Sequence, residues 1–239
     1  DGIERVIAVP IYPLCGPSTT VSSIDSLEEA IDEESDYDPE FTAITGWHRA
    51  PVYNRIRAEG IQSFLDEEGL DPNDPDTTFV FSAHGTPRKY LDEGSRYDQY
   101  VEEHAAAVSG MLGIEEYEIG YQNHANRGIE WTEPETEDTV VGLGDDAERV
   151  IVEPMSFMHE QSETLVELDV DLAEDASEVG LDLYRVPVPH DDPRFPDLLA
   201  DVAEPFLSGF APSYYQLRQC QCRNKEGTFC FNAELPPQA

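Results

Sequence analysis

The sequence predicts an α/β fold built on doubly wound parallel sheet. Two observations carry that prediction. Short apolar, β-branched runs of strand type alternate along the chain with amphipathic segments of helical length. The junctions between them are rich in Gly and Pro, the residues that punctuate regular structure. With 239 residues the chain can bury a sizeable core, in one large domain or two small ones.

The run Val6-Ile7-Ala8-Val9-Pro10-Ile11 reads as a buried strand, ended by a turn-rich stretch over 12–20. A helix over 26–34 and a strand over 41–45 follow. Residues 52–67 form a helix with Ile56, Ile61, Phe64 and Leu65 on one side. A β-branched and aromatic strand over 77–82 precedes a helix over 97–112, and 117–121 is again a strand. A helix over 136–146 is expected despite Gly142 and Gly144. The strand opened by Val150-Ile151-Val152 runs to about 157; 163–179 is helical, 181–188 a strand, and 193–207 the last helix. After Pro212 the periodicity stops and a tail with three cysteines begins, too poor in apolar positions to order itself without a metal. Ligands of such folds sit beyond the carboxyl ends of the strands, and the polar residues of interest all follow strand ends.

Charge bounds the partners. There are 51 acidic and 14 basic residues, a net of −37, and only Lys89 and Lys225 are lysines. An acidic, lysine-poor surface stays hydrated at molar salt and reads as halophile adaptation. Regular apolar segments and ample aromatics argue against a disordered chain. So negative a surface excludes nucleic acid and anionic membrane as partners. No apolar run reaches the roughly 18 residues of a membrane span, and Asp1 opens no signal peptide, so a cytoplasmic protein is expected. There is no initiating Met and the first residues already read as strand, so further chain is expected upstream.

Two segments carry candidate chemistry. Phe81-Ser82-Ala83-His84-Gly85-Thr86-Pro87 sets a histidine behind a buried strand on a Gly/Pro turn, where it can reach a cleft and act as a base near neutral pH. A histidine so placed is more often a loop or capping residue. The second segment is Pro154-Met155-Ser156-Phe157 with the acidic residues after it. Glu163, Glu167 and Asp171 fall at i, i+4 and i+8, one face of a helix, and could pass on a divalent cation or accept protons. In so acidic a chain that spacing also arises by chance as solvated surface.

In order and context both segments resemble ferrochelatases. The resemblance rests on Ser82-Ala83-His84 with its Pro turn, on Pro154-Met155-Ser156-Phe157, and on Glu163-Thr164-Leu165-Val166-Glu167-Leu168-Asp169. Pro10-Ile11-Tyr12-Pro13 with Ser18-Thr19-Thr20, Trp47 with Pro51 and Tyr53, Gln122 with Trp131, and Asp191-Asp192-Pro193-Arg194-Phe195 add to it. It implies two chelatase-type doubly wound parallel-sheet domains facing a porphyrin cleft, the first incomplete here. Residues 1–45 would end the first domain, 46–190 form the second, 191–212 return as a helix to the first, and 213–239 form the cysteine-bearing tail.

The implied activity is insertion of Fe²⁺ into a porphyrin, protoporphyrin IX or coproporphyrin III, in haem synthesis. Porphyrin and ferrous iron are then the partners. His84 and Glu163 would be the catalytic pair across the macrocycle, each a candidate iron contact or proton acceptor. Glu167 and Asp171 match the family's acidic relay. Tyr12, Gln122 and Trp131 would contact or shape the porphyrin pocket. Gln161 stands where many relatives have a histidine, which puts a second imidazole in the site in doubt. Within the same fold, a chelatase acting on a sirohydrochlorin-type ring is the alternative; outside enzymes, it is a porphyrin- or iron-binding protein without catalysis.

Cys220, Cys222 and Cys230 crowd the tail and Cys15 lies in the Tyr-Pro loop. Such crowding in a chain of intracellular type suggests a metal or cluster site rather than disulfides. A [2Fe–2S] centre needs four thiolates, and the chain has four. Some ferrochelatases carry one on a C-terminal trio plus a cysteine of this loop. Here Cys15 lies three residues before Ser18 rather than beside the Ser-Thr-Thr run, and the tail spacing also differs from that of the animal members. Structural zinc on the same residues is the second reading, and thiols without metal the third.

Overall fold

The computed structural model describes residues 3–34, 36–122, 128–208, 217–220, 223 and 225–231. Strand and helix alternate as β1 (Arg5–Ala8), α1 (Ser22–Asp32), β2 (Glu40–Thr45), α2 (Pro51–Glu68), β3 (Thr77–His84), α3 (Arg88–Asp92), α4 (Tyr97–Leu112), β4 (Glu118–Gln122), α5 (Thr136–Val141), β5 (Arg149–Pro154), α6 (Ser162–Leu165), α7 (Leu172–Glu178), β6 (Asp182–Arg185), α8 (Phe195–Leu207), β7 (Arg218–Gln219) and β8 (Thr228–Cys230). Two four-stranded sheets result, ordered β1-β2-β8-β7 and β4-β3-β5-β6. The second is parallel throughout.

β3 is the centre of the second sheet, and its sequence shows why. Phe79 to Ala83 are all buried, as a strand covered on both faces requires. Alternate residues serve the two faces. Phe79, Phe81 and Ile151 meet Ala58, Ile61 and Leu65 of α2 and Val101, Ala105 and Val108 of α4. Val80, Val150 and Val152 meet Val140 of α5 and Leu172 and Ala176 of α7. A phenylalanine as buried as Phe81 contributes about 3–5 kcal/mol against alanine.

α2 begins with Pro51 at its first turn and stops at Gly69, whose φ of 69° is left-handed. α8 packs on the first sheet, where Leu198, Val202 and Phe206 join Ile44, Trp47 and Tyr53, with Ile7 and Phe229 at the margin.

Several elements differ from the sequence expectation: the strand expected to run to about 157 ends at Pro154, that over 181–188 spans Asp182–Arg185, the helix over 26–34 spans Ser22–Asp32, and α3 is additional. The helix expected over 136–146 ends at Val141, and Gly142 follows in a turn. The helix expected over 163–179 is three pieces: α6, a π-turn over Glu167–Asp171, and α7. The tail contributes two strands that the sequence reading did not include. Parts of it are ordered by backbone pairing: β8 adds to the edge of β2 through Ala43↔Thr228 and Thr45↔Cys230, and β7 pairs with β8. One buried arginine adds to this strand pairing. Arg223 donates to Asp25 Oδ1 at 2.9 Å and to Thr228 Oγ1 at 2.5 Å, and pairs with Glu28.

Candidate active site

The register of the second sheet brings the site together. His84 is the last residue of β3 and lies beside Gln122, the last of β4. Ser82 lies beside Pro154, the last of β5. The carboxyl ends of β3 and β5 open on one cleft of about 520 Å³. Tyr12 of the loop after β1, and Ser18 and Thr19 of the π-helical segment Pro17–Val21 that follows it, line one side. His84, Ser156, Phe157 and Glu163 line it from the second sheet.

His84 is held from three directions. Its amide donates to Ser156 Oγ at 2.8 Å, and its carbonyl accepts from Tyr97 Oη at 2.9 Å. Its Nδ1 lies 2.7 Å from the carbonyl oxygen of Gly85, which can only accept. This selects the tautomer with N–H at Nδ1 and the lone pair at Nε2, the form a metal or proton needs.

The carboxylates are differentiated by their surroundings. The Ser162 hydroxyl, donating at 2.7 Å, holds the Glu163 carboxyl below its ordinary value; partial burial opposes this, and His84 and His159 add to the lowering. Glu167 is pushed up, chiefly by burial, with the charges of Glu163 and Asp171 adding. Gln122 opposes that rise through its Nε2, 3.4 Å from Glu167 Oε2. Glu167 thus senses both acidic neighbours, although α6 and the π-turn do not form one regular helix. In the π-turn Asp171 N–H donates to Val166 O at 2.9 Å, one residue further back than an α-helix allows. Asp171 is solvent-exposed.

Gln122 and Trp131 lie behind the cleft wall. The Gln122 amide donates to the Glu163 carbonyl at 2.7 Å and its oxygen accepts from Ser82 Oγ at 2.8 Å. Thr136 Oγ1 is 2.8 Å from the same Ser82 hydroxyl, a contact that requires Gly120, where a Cβ would come within 2.7 Å of Thr136 Cα. Trp131 forms a backbone bridge to Pro87, next to the turn after His84.

Three further side chains line the cleft or hold the segment that carries Glu163. His159 lines the cleft, so a second imidazole is present despite Gln161. Gln161 itself caps α6 in a reciprocal pair with Thr164. Arg185 grips Asp169 with two bonds of 2.6 and 2.7 Å and Glu160 with one of 2.6 Å, fixing the segment that carries Glu163.

Of the cysteines, Cys15, Cys220 and Cys230 are buried, and Cys222 lies outside the described residues. Cys220 Sγ accepts the Arg223 N–H at 3.4 Å and lies 3.6 Å from Thr45 Oγ1. Among the described residues no group of three or more His, Cys, Asp or Glu stands at metal-binding positions.

The ferrochelatase family model matches residues 1–206. The chain belongs to the ferrochelatase family. A ferrochelatase of Nostoc punctiforme (strain ATCC 29133 / PCC 73102) is 35% identical over 207 residues, 84% of this chain and 52% of that protein. One of Synechococcus sp. (strain RCC307) is 36% identical over 217 residues, 87% and 54% respectively. One of Geobacter sp. (strain M21) is 30% identical, covering 85% of this chain and 63% of that protein. The chain spans about half the length of the two cyanobacterial relatives. Among solved structures, CbiX, the terminal enzyme for biosynthesis of sirohaem in denitrifying bacteria, superposes with a TM-score of 0.54 at 16% identity, over 88% of this chain and 78% of that one. That likeness is one of fold: parallel sheets of the chelatase type.

Proposed function

We propose that this chain carries the metal-inserting residues of a ferrochelatase, placing Fe²⁺ in a porphyrin with release of two protons. The observation that carries the reading is that His84, at the carboxyl end of β3, and Glu163, on α6, line one cleft. Insertion removes two pyrrole N–H protons and strips water from the metal. His84 Nε2 supplies a lone pair at the porphyrin face. Glu163, kept anionic, contacts the incoming iron. Glu167, with its raised affinity for protons, accepts what the site releases, and Asp171 hands it to solvent; carboxylates pushed apart in this way mark division of labour. Tyr12 supplies the facing wall, while Gln122 and Trp131 shape the pocket from behind. The acid-rich surface suits a salt-loaded cytoplasm.

Anaerobic Fe²⁺ insertion with protoporphyrin IX and coproporphyrin III, side by side, tests the reading. Porphyrin binding without metallation would make the chain a carrier and overturn it. The pH profile tests the division of labour. Gln122→Leu removes a donor that lowers the Glu167 pKa, so that pKa rises further and more of the carboxylate is protonated at a given pH. The acidic limb of the rate profile therefore moves to higher pH; an unmoved limb excludes Glu167 as acceptor.

A [2Fe–2S] centre on Cys15, Cys220, Cys222 and Cys230 completes the proposal. The donor set is four soft thiols, and the bond from Arg223 N–H to Cys220 Sγ is of the kind that stabilises a cluster sulfur. The group would supply one-electron redox chemistry, and Cys15 with the tail cysteines would hold it, tying the tail to the loop after β1. Anaerobically purified protein should be red-brown with about two irons per chain, and Cys220→Ser should bleach it. Colourless protein with one zinc would replace the cluster by structural zinc.

A further inference from the structure

Behind the cleft wall lies a buried ion pair, Arg57 with Glu153, on α2 and β5. Both side chains are almost wholly excluded from solvent and neither lines the cleft. Removing two charges from water costs about as much as their attraction returns, so stability alone does not require the pair; two apolar side chains would serve as well. What the arginine does beyond pairing is specific. Nη1 donates to the carbonyl of Phe157 at 3.0 Å, and Nη2 donates to the carbonyl of Pro154 at 3.0 Å. These carbonyls bracket the turn that leaves β5, which Phe157 N–H closes onto Pro154 O at 3.2 Å. Inside that turn sits Ser156, whose hydroxyl receives the His84 amide. The Phe157 ring stands 6.2 Å from the His84 ring.

We infer that Arg57 is a positioning residue for His84, with Glu153 orienting its guanidinium; its role in catalysis rests on the ferrochelatase reading above. The guanidinium is a rigid fork, so one side chain sets the spacing of both carbonyls, and that spacing sets where Ser156 meets the end of β3. Glu153 accepts a further N–H from Nη2, the nitrogen that also donates to Pro154. The chain from Arg57 to the imidazole runs through two hydrogen-bonded steps and begins outside the cleft.

The test uses the full chain with both charges replaced, Arg57→Met with Glu153→Leu, so that no lone charge is left buried. Amide hydrogen exchange is read at His84, with Phe81 in the middle of the same strand as control. Exchange at His84 should quicken by about 10-fold or more while Phe81 keeps its protection. Metallation kcat should fall about 10-fold with porphyrin Kd within about twofold, the signature of a displaced group rather than a lost binding contact. Arg57→Lys, which keeps the charge but not the fork, should shift both readouts in the same direction and covers the case in which the double variant does not fold. Unchanged protection at His84 in the variants that fold overturns the inference, as does equal loss at His84 and Phe81. If the wild-type chain binds porphyrin without metallating it, yet His84 loses protection in the variants, the positioning stands and the ferrochelatase reading fails.

Discussion

His84→Ala is expected to lower the rate of porphyrin metallation on the order of 10²-fold or more while porphyrin still binds. The expectation rests on what the ring is arranged to offer. Its Nδ1 is committed to the Gly85 carbonyl, so the chemistry falls to Nε2, which alanine removes outright. Two of the three contacts that hold the residue in place come from its backbone, to Ser156 and Tyr97, and survive the substitution. The wall of the cleft should therefore keep its shape. Stopped-flow metallation alongside porphyrin fluorescence quenching separates the two effects. Turnover within about threefold of wild type would remove His84 from the chemistry, since a positioned acid–base group is worth far more.

Glu163→Gln should be comparably severe, about 10²-fold or more in kcat, whereas Asp171→Asn should slow turnover only a fewfold. Glutamine keeps the shape of the side chain and can still accept the Ser162 hydroxyl, so the local structure is spared and only the negative charge is lost. That charge is what the site maintains against partial burial. Asp171 is exposed at the far end of the π-turn, where bulk water can substitute for a proton carrier. Equal and mild effects at both positions, measured with Fe²⁺ under anaerobic conditions, would assign the acidic row to surface charge.

Which parts of this molecule could be read from sequence follows from how local their causes are. β3, α2 and α4 were legible because burial on one or both faces leaves a repeating mark in residues that touch each other along the chain. The strand-end placement of His84 followed from the same pattern, a buried run meeting a Gly/Pro turn. The broken helix after Ser162 was not legible. Its i, i+4 spacing is the same for an α-helix and a π-turn, and only the backbone bond from Asp171 to Val166 tells them apart. The tail strands were not legible for a different reason: their partners, β2 and α1, lie far away in sequence. Arg185 and Arg57 escaped for a related cause, since a lone arginine gives no sign of which distant carbonyls it will meet. Gln161 marked a missing imidazole at one position, and His159 supplies one two residues earlier.

The insertion of β8 between β2 and β7 has a kinetic consequence. Thr45 Oγ1 reaches the Phe229 carbonyl across 184 positions of sequence, so the two strands meet only after nearly everything between them has been made and folded. Until then β2 presents one side as a row of unanswered amides and carbonyls, a template open to any extended segment nearby. Synthesis on the ribosome would leave that edge bare for the whole time the second sheet is being built. A chain cut between α8 and β7 should show this directly, with an intact second sheet and a first sheet that recruits a neighbour's strand in place of its own.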